Sequence, residues 1–306
     1  MIINFKSSIQ REVDRFLKTI SRSDFNLREI TKGAFLQARA KLNPWAFQRL
    51  NDVAVNTFYE DAQYYRWHEM RVLAIDGARL VLPNHQSVIK EFGLHKFGSK
   101  ADSPRSLAMA SLLYDALNQI TIDSQLAPYA TSERDLLMQH LDKIKSGDLL
   151  LLDRGYPCFW LLFLIKVKGI EFCVRLKDNW WLKVKNFTDS DEKERIVTFT
   201  LPKKDQKKLA DYPHMQAATI TCQLIKIELS TGEKEILCTS LIDSEKYTYE
   251  EFDKLYHYRW NEEEAYKLLK QDRNREFYRQ NSKGSQTGFI CQSIFDDTLC
   301  CIRSPN

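Results

Sequence analysis

Four residues of one segment carry groups suited to phosphate chemistry at helical spacing. Tyr256, Arg259, Glu263 and Lys270 follow one another at steps of 3, 4 and 7 residues. At about 100° per residue they share an arc of roughly 60° on a helix. One stripe then offers an aromatic hydroxyl, a guanidinium, a carboxylate and an ammonium. The plainer reading is a solvated stripe with an Arg259–Glu263 pair. Against it, Trp260, Tyr266, Leu268 and Leu269 put apolar bulk on the flanks, so the helix should dock with its stripe turned toward the protein. Asp76 and Asp153 each follow a short apolar run, Val-Leu-Ala-Ile and Leu-Leu-Leu-Leu. An Asp after a strand is commonly a turn starter, so neither acid is telling alone. With Glu263 they make three carboxylates, which repel one another unless cations lie between them. Hard oxygen donors suit Mg²⁺ or Mn²⁺. Two such ions about 4 Å apart stabilise the attacking and leaving oxygens of a phosphodiester displacement. In that chemistry Arg259 and Lys270 hold phosphates, and Tyr256 touches a phosphate or stacks on an extruded base.

The elements that must position these groups read as an α/β chain. Residues 1–65 have helical periodicity with a break at Pro44. Their basic residues (Arg11, Arg15, Lys18, Arg22, Arg28, Lys32, Arg39, Lys41) suit either a DNA-binding module or a helical cap with a solvated face. A buried strand is expected to stop at Asp76, and another at Asp153. Strand-compatible sequence fills 106–117 and 119–123, although the first could equally be helical. A helix over 131–143 is expected with Ser132 as its cap, then a helix over 160–168 and a strand over 171–177. Strands interleaved with helices imply a sheet with buried central strands. From 178 to 245 three strands between Lys-rich stretches form a β-rich insertion. Thr248-Tyr-Glu-Glu251 is a capping box, with Tyr247 and Phe252 placed as its hydrophobic staple, and it opens one long helix to at least Lys270.

These motifs together resemble one family. Asp76-Gly-Ala-Arg, Asp153-Arg-Gly-Tyr and the run YHYRWNEEEAYKLLK from Tyr256 resemble the DDE transposases of the insertion-sequence-four family. Tyr256, Arg259, Glu263 and Lys270 match all four positions of that family's Y-x2-R-x3-E-x6-K signature. The segments SLLYDALNQ, SERDLL and FCVRLK also look like it, and Ala78 departs from the family's usual Thr or Ser. The resemblance spans about residues 30–270. It implies a ribonuclease H-like mixed sheet flanked by helices, with a β-rich insertion between the second Asp and the Glu. It implies cleavage and strand transfer at transposon ends with two Mg²⁺ or Mn²⁺ ions. The partners are double-stranded terminal-repeat and target DNA, bound by a homodimer. Asp76, Asp153 and Glu263 become the metal-holding triad; Tyr256, Arg259 and Lys270 become DNA contacts. Trp181, beside Trp180 in the insertion, becomes a stacking platform for a displaced base, with core packing as the alternative.

The expected organisation is a helical DNA-binding region (1–65), the first part of the core (66–177), the insertion (178–245), the Glu263 helix (246–271) and an aberrant tail (272–306). From Asp272 the family pattern is lost. A one-base shift of reading frame there can be back-translated to IEIENFIGKT and onward, resembling the family's usual continuation. A frameshifted C-terminus and a catalytically defective DNA-binding remnant follow as the alternative reading, which the gene's nucleotide sequence decides. Composition narrows the classes further. Hydrophobic residues at 43% and charged residues at 28% are those of an ordinary globular chain. Seven scattered Cys without a C-x-x-C pair speak for reduced thiols in a cytosol, which the resemblance implies is bacterial, and against a zinc site. No apolar run reaches the roughly 18 residues of a membrane helix. A net charge of +4 permits a polyanionic partner without demanding one.

Overall fold

A computed structural model describes residues 8–21, 30–96, 104–211, 219–229 and 232–271. The helices begin with α1 (Ile9–Ser21), α2 (Lys32–Ala40) and α3 (Pro44–Asp61). Pro44 sits in the first turn of α3, where its missing N–H costs nothing. This helix lies against the edge of the sheet. The buried Asn51 donates from Nδ2 to the carbonyls of Thr121 and Ile122, at 3.2 and 2.8 Å. Arg22 and Arg28, from the basic set, lie outside the described residues.

The sheet has eight strands in the order β3-β2-β1-β4-β5-β8-β7-β6. Strands β1 (Val72–Leu82), β2 (Ser106–Asp115) and β3 (Ile120–Pro128) form an antiparallel meander, with the short helix α4 (Gln86–Phe92) between the first two. Strands β4 (Leu149–Leu152) and β5 (Glu171–Leu176) run parallel to β1. Parallel neighbours need crossovers, supplied by α5 (Glu133–His140) and α6 (Phe159–Val167). This is the ribonuclease H-like arrangement expected from the motifs. The insertion contributes α7 (Leu182–Thr188), β6 (Glu194–Thr200), α8 (Lys203–Gln206), β7 (Thr219–Glu228) and β8 (Lys234–Thr239). Its strands do not form a sheet of their own. β8 pairs with β5, so they continue the core sheet.

Two local expectations need correction. β1 does not stop at Asp76. Beyond Gly77 the burial alternates, with Ala78, Leu80 and Leu82 inside and Arg79 out, and that period of two carries the strand six residues further. The long capped helix is two helices, α9 (Tyr249–His257) and α10 (Trp260–Gln271). Between them the chain tightens into three-residue hydrogen bonds. The amides of Tyr258, Arg259, Asn261 and Glu262 donate to the carbonyls three residues earlier. The capping box is present: the Thr248 amide donates to Glu251 Oε2 at 2.9 Å. Trp67 stacks on Tyr247 at 5.5 Å within the buried cluster that also holds Phe252.

Each sheet face is covered. Leu73, Ile75, Leu150 and Leu152 pack with α5 and α6, whereas Val72, Ala74, Leu149 and Leu151 pack under α9. Among the described residues, no helix is long and apolar enough to cross a membrane.

Candidate active site

The register of β1 on β4 brings the first two acids together. Val72 pairs with Leu149 and the ladder runs to Ile75 with Leu152. Asp76 is the next residue of β1, and Asp153 is the first residue after β4. Side chains alternate along a strand, so Asp76 shares the face of Ala74, which α9 covers, and of Ala78, Leu80 and Leu82, on which Tyr266 of α10 packs. Register is fixed at the opposite end. Asp148 and Arg71 stand just before the first rung, both buried, and Arg71 Nε donates to Asp148 Oδ1 at 2.7 Å. Burial opposes the charge on Arg71, yet the Asp148 carboxylate outweighs it and holds the guanidinium charged.

Glu263 completes the set through Arg259. Arg259 Nη2 donates to Glu263 Oε1 at 2.7 Å, and Nη1 lies 4.0 Å from Asp76 Oδ2. Asp76 Oδ1 accepts from the amide of Gly77 at 2.8 Å. The Asp76 carboxyl is pushed up, first by burial. The Gly77 amide and Arg259 oppose the rise, and the charges of Asp153 and Glu263 add to it. Arg259 therefore links Asp76 and Glu263 directly, and Asp153 lies near enough for its charge to act on Asp76. The three carboxylates are hard oxygen donors and fit Mg²⁺ or Mn²⁺. As they stand, no three of the described His, Cys, Asp and Glu side chains gather as ready ligands. Glu263 is turned to Arg259, and Asp76 to its neighbouring amide.

The remaining expected site residues are placed differently. Arg259 is 5% exposed and lies between acids. Tyr256 is 4% exposed, and its hydroxyl donates to the carbonyl of Leu152 at 3.3 Å, one residue before Asp153. Lys270 belongs to α10, but its side chain lies outside the described residues. Trp181 stacks on Phe199 at 5.2 Å and meets Phe159 edge-on at 4.4 Å, and Trp180 lies 4.7 Å from Phe159. Both tryptophans are half-buried. The tail from 272 lies outside the described residues.

Three further residues belong to the site. Glu133, the first residue of α5 after the capping Ser132, leans on the glycines that accompany the two aspartates. A Cβ at Gly77 would stand 2.8 Å from Glu133 Cγ, and a Cβ at Gly155 would stand 2.9 Å from its Oε2. Burial raises the Glu133 carboxyl, and the charges of Asp76 and Asp153 raise it further. Arg134 holds the loop after Asp153, donating from Nε to the Tyr156 carbonyl and from Nη2 to that of Gly155, at 2.9 and 2.8 Å. Glu262 is fully buried, and its Oε1 accepts from the amide of Asp76 at 2.7 Å. Burial drives the Glu262 carboxyl well up, toward the neutral acid, with the Asp76 charge adding. The glycine after each acid was the available signal for Glu133. Nothing in three consecutive glutamates distinguishes Glu262.

A second constellation has the outline of a nucleophile relay. Ser111 Oγ lies 3.0 Å from His140 Nε2, and His140 Nδ1 lies 2.7 Å from Asp123 Oδ2. All three side chains are sealed, with Ser111 and His140 at 0% and Asp123 at 6% exposure. A nucleophile needs an approach path, so this set fastens α5, and with it Glu133, to β2 and β3.

Comparison with known proteins finds similar sequences and folds. A family model described as "Transposase DDE domain" matches residues 67–286, from just after α3 to beyond Lys270. The expected end of the resemblance near residue 270 therefore fell short. A protein of Escherichia coli (strain K12) described as "Putative transposase InsZ" is 23% identical over 163 residues, covering 52% of this chain and 53% of that protein. The match thus spans about half the length of that relative. Among solved structures, the cryo-EM structure of a piggyBac transposase synaptic complex with hairpin DNA superposes with a TM-score of 0.46 at 9% identity. That match covers 77% of this chain and 49% of that one.

Proposed function

The chain belongs to the transposase DDE domain family, and on that premise we propose that it cuts and rejoins DNA at transposon ends, with Asp76, Asp153 and Glu263 as the metal-holding triad. The observation that carries the reading is Arg259, whose guanidinium donates to Glu263 and reaches Asp76, with Asp76 and Asp153 each one residue past the last β1–β4 pair, Ile75–Leu152. The match of Tyr256, Arg259, Glu263 and Lys270 to the four-point signature supports the insertion-sequence-four branch and cut-and-paste transposition as the finer reading.

Mg²⁺ or Mn²⁺ held by these carboxylates would supply Lewis acidity to the scissile phosphodiester. The chain's own residues do the rest. Arg259 offsets the charges of Asp76 and Glu263 and would present a guanidinium to a phosphate held there. Tyr256 and Arg134 hold the backbone on either side of Asp153. This replaces the direct DNA contact first expected of Tyr256, whose ring is buried. Lys270 remains a phosphate contact. Trp181 serves as packing for the insertion, a role its rings with Phe159 and Phe199 support. The basic helices α1 and α2 bind terminal-repeat DNA, and two copies act together at the paired ends. Binding then weakens steeply with salt.

The test is Mg²⁺-dependent cleavage of a terminal inverted repeat duplex by the full chain, with Glu263→Ala as control. Cleavage lost in the variant, with DNA binding retained, supports the enzyme. DNA binding without cleavage by either protein favours the catalytically defective remnant.

A further inference from the structure

Asp76 is held at its backbone as well as by its place in the sheet. Glu262 Oε1 accepts from its amide at 2.7 Å. The Tyr266 hydroxyl donates to its carbonyl at 2.9 Å and reaches the Ala110 carbonyl on β2 at 3.5 Å. The two side chains are four residues apart on α10 and so share one helix face. Both are buried, Glu262 at 0% and Tyr266 at 3% exposure. The peptide groups they meet are on the β2 side of β1. The Val72 carbonyl accepts from Ala116 on that side, whereas Arg71 accepts from Leu149 on the β4 side, and Asp76 shares the direction of Val72. A buried carboxyl reaching into a strand ladder is an expensive way to pack a helix, and its second oxygen, Oε2, has no partner among the described residues. An apolar side chain would fill the space without that cost.

We propose that Glu262 and Tyr266 are positioning residues, a two-point clamp that fixes α10 on β1 so that Glu263 and the Asp76 carboxylate keep one separation. Two hydrogen bonds one turn apart fix both the rotation and the axial position of a helix. Without them, a slip of one residue moves Glu263 by about 1.5 Å along the axis and about 100° around it. The clamp rests on the reading of Asp76, Asp153 and Glu263 as the metal-holding triad, and its test separates the two.

The experiment follows amide hydrogen exchange at Asp76 and Mn²⁺ affinity by electron paramagnetic resonance, on the full chain well below its melting temperature. The variants are E262L, E262Q and Y266F, with D76A as control. E262L should speed exchange at the Asp76 amide at least tenfold and weaken Mn²⁺ binding at least tenfold. E262Q keeps the acceptor oxygen and should stay within threefold of wild type in both; Y266F should weaken Mn²⁺ binding several-fold. A merely structural role lowers the melting temperature without moving Mn²⁺ affinity, and that result overturns the clamp. E262Q as weak as E262L also overturns it, because the charge of Glu262 is then what matters. If the wild-type chain binds no Mn²⁺, the metal reading fails. The clamp then stands or falls on whether E262L alone unprotects the Asp76 amide.

Discussion

Strands β1 and β4 are locked at the end away from Asp76 and Asp153, and Asp148→Ala tests how much depends on it. Arg71 and Asp148 are 9% and 5% exposed and joined by two hydrogen bonds. The guanidinium also lies 4.7 Å above the Tyr59 ring, and Asp148 Oδ2 accepts from the Lys145 amide at 2.7 Å. Removing the carboxylate strands a buried guanidinium, which costs about 3–5 kcal/mol. That is a large part of the roughly 5–15 kcal/mol that holds a native chain. At about 2–4 °C per kcal/mol for a unit of this size, the melting temperature falls by about 6–20 °C. The double variant Arg71→Met with Asp148→Leu leaves no orphaned charge and should be less damaging than Asp148→Ala alone. It still loses the acceptor for the Lys145 amide, worth about 1–3 kcal/mol. Urea unfolding followed by circular dichroism gives each value. A loss below about 1 kcal/mol for Asp148→Ala, or a double variant costing the sum of its singles, refutes the argument that this pair sets the register.

Other perturbations test neighbouring parts. Burial and like charge raise the Asp76 carboxyl, so its contribution to stability is present below the ordinary carboxylate range and is lost as pH rises through the raised value. Asp76→Asn should therefore stabilise the metal-free chain at pH 7, an advantage that disappears at acid pH; thermal melts across that range check it, and no difference at pH 7 counts against the crowding. Gly77→Ala places a methyl 2.8 Å from Glu133 Cγ and should cost about 1 kcal/mol. Combining it with Glu133→Ala should recover most of that loss, whereas additive losses would mean Glu133 does not occupy the notch. Trp181→Ala should cost about 1–3 kcal/mol through lost packing on Phe159 and Phe199, with terminal-repeat binding unchanged in a gel-shift titration. Unchanged stability with lost binding would return Trp181 to the DNA.

The sequence was most legible where one residue type does one thing. Leu149–Leu152 is apolar on both faces and short, so it reads as a buried parallel strand, and it is one. The capping box over Thr248 and Glu251 is local chemistry and stands as read. β1 was misjudged because a Gly after an acid suggests a stop; that glycine instead makes room for Glu133 on α5. The break between α9 and α10 carries no Pro or Gly, so nothing local announces it. The stripe through Tyr256 and Arg259 faces inward, as the apolar flanks imply, and Arg259 meets Asp76 and Glu263 there. The insertion strands were found, but their pairing with β5 depends on partners some 60 residues away, which no local pattern encodes. Which of Glu262, Glu263 and Glu264 is buried also depends on how α10 docks, and only the fold resolves it.

Anomalous diffraction from crystals of the chain grown with Mn²⁺ addresses the central claim most directly. The triad predicts ion density about 2.1 Å from carboxylate oxygens of Asp76 and Asp153, with Glu263 released from Arg259 to join them. Saturating Mn²⁺ with no density at these three side chains, or density that leaves one of them turned away, would contradict it.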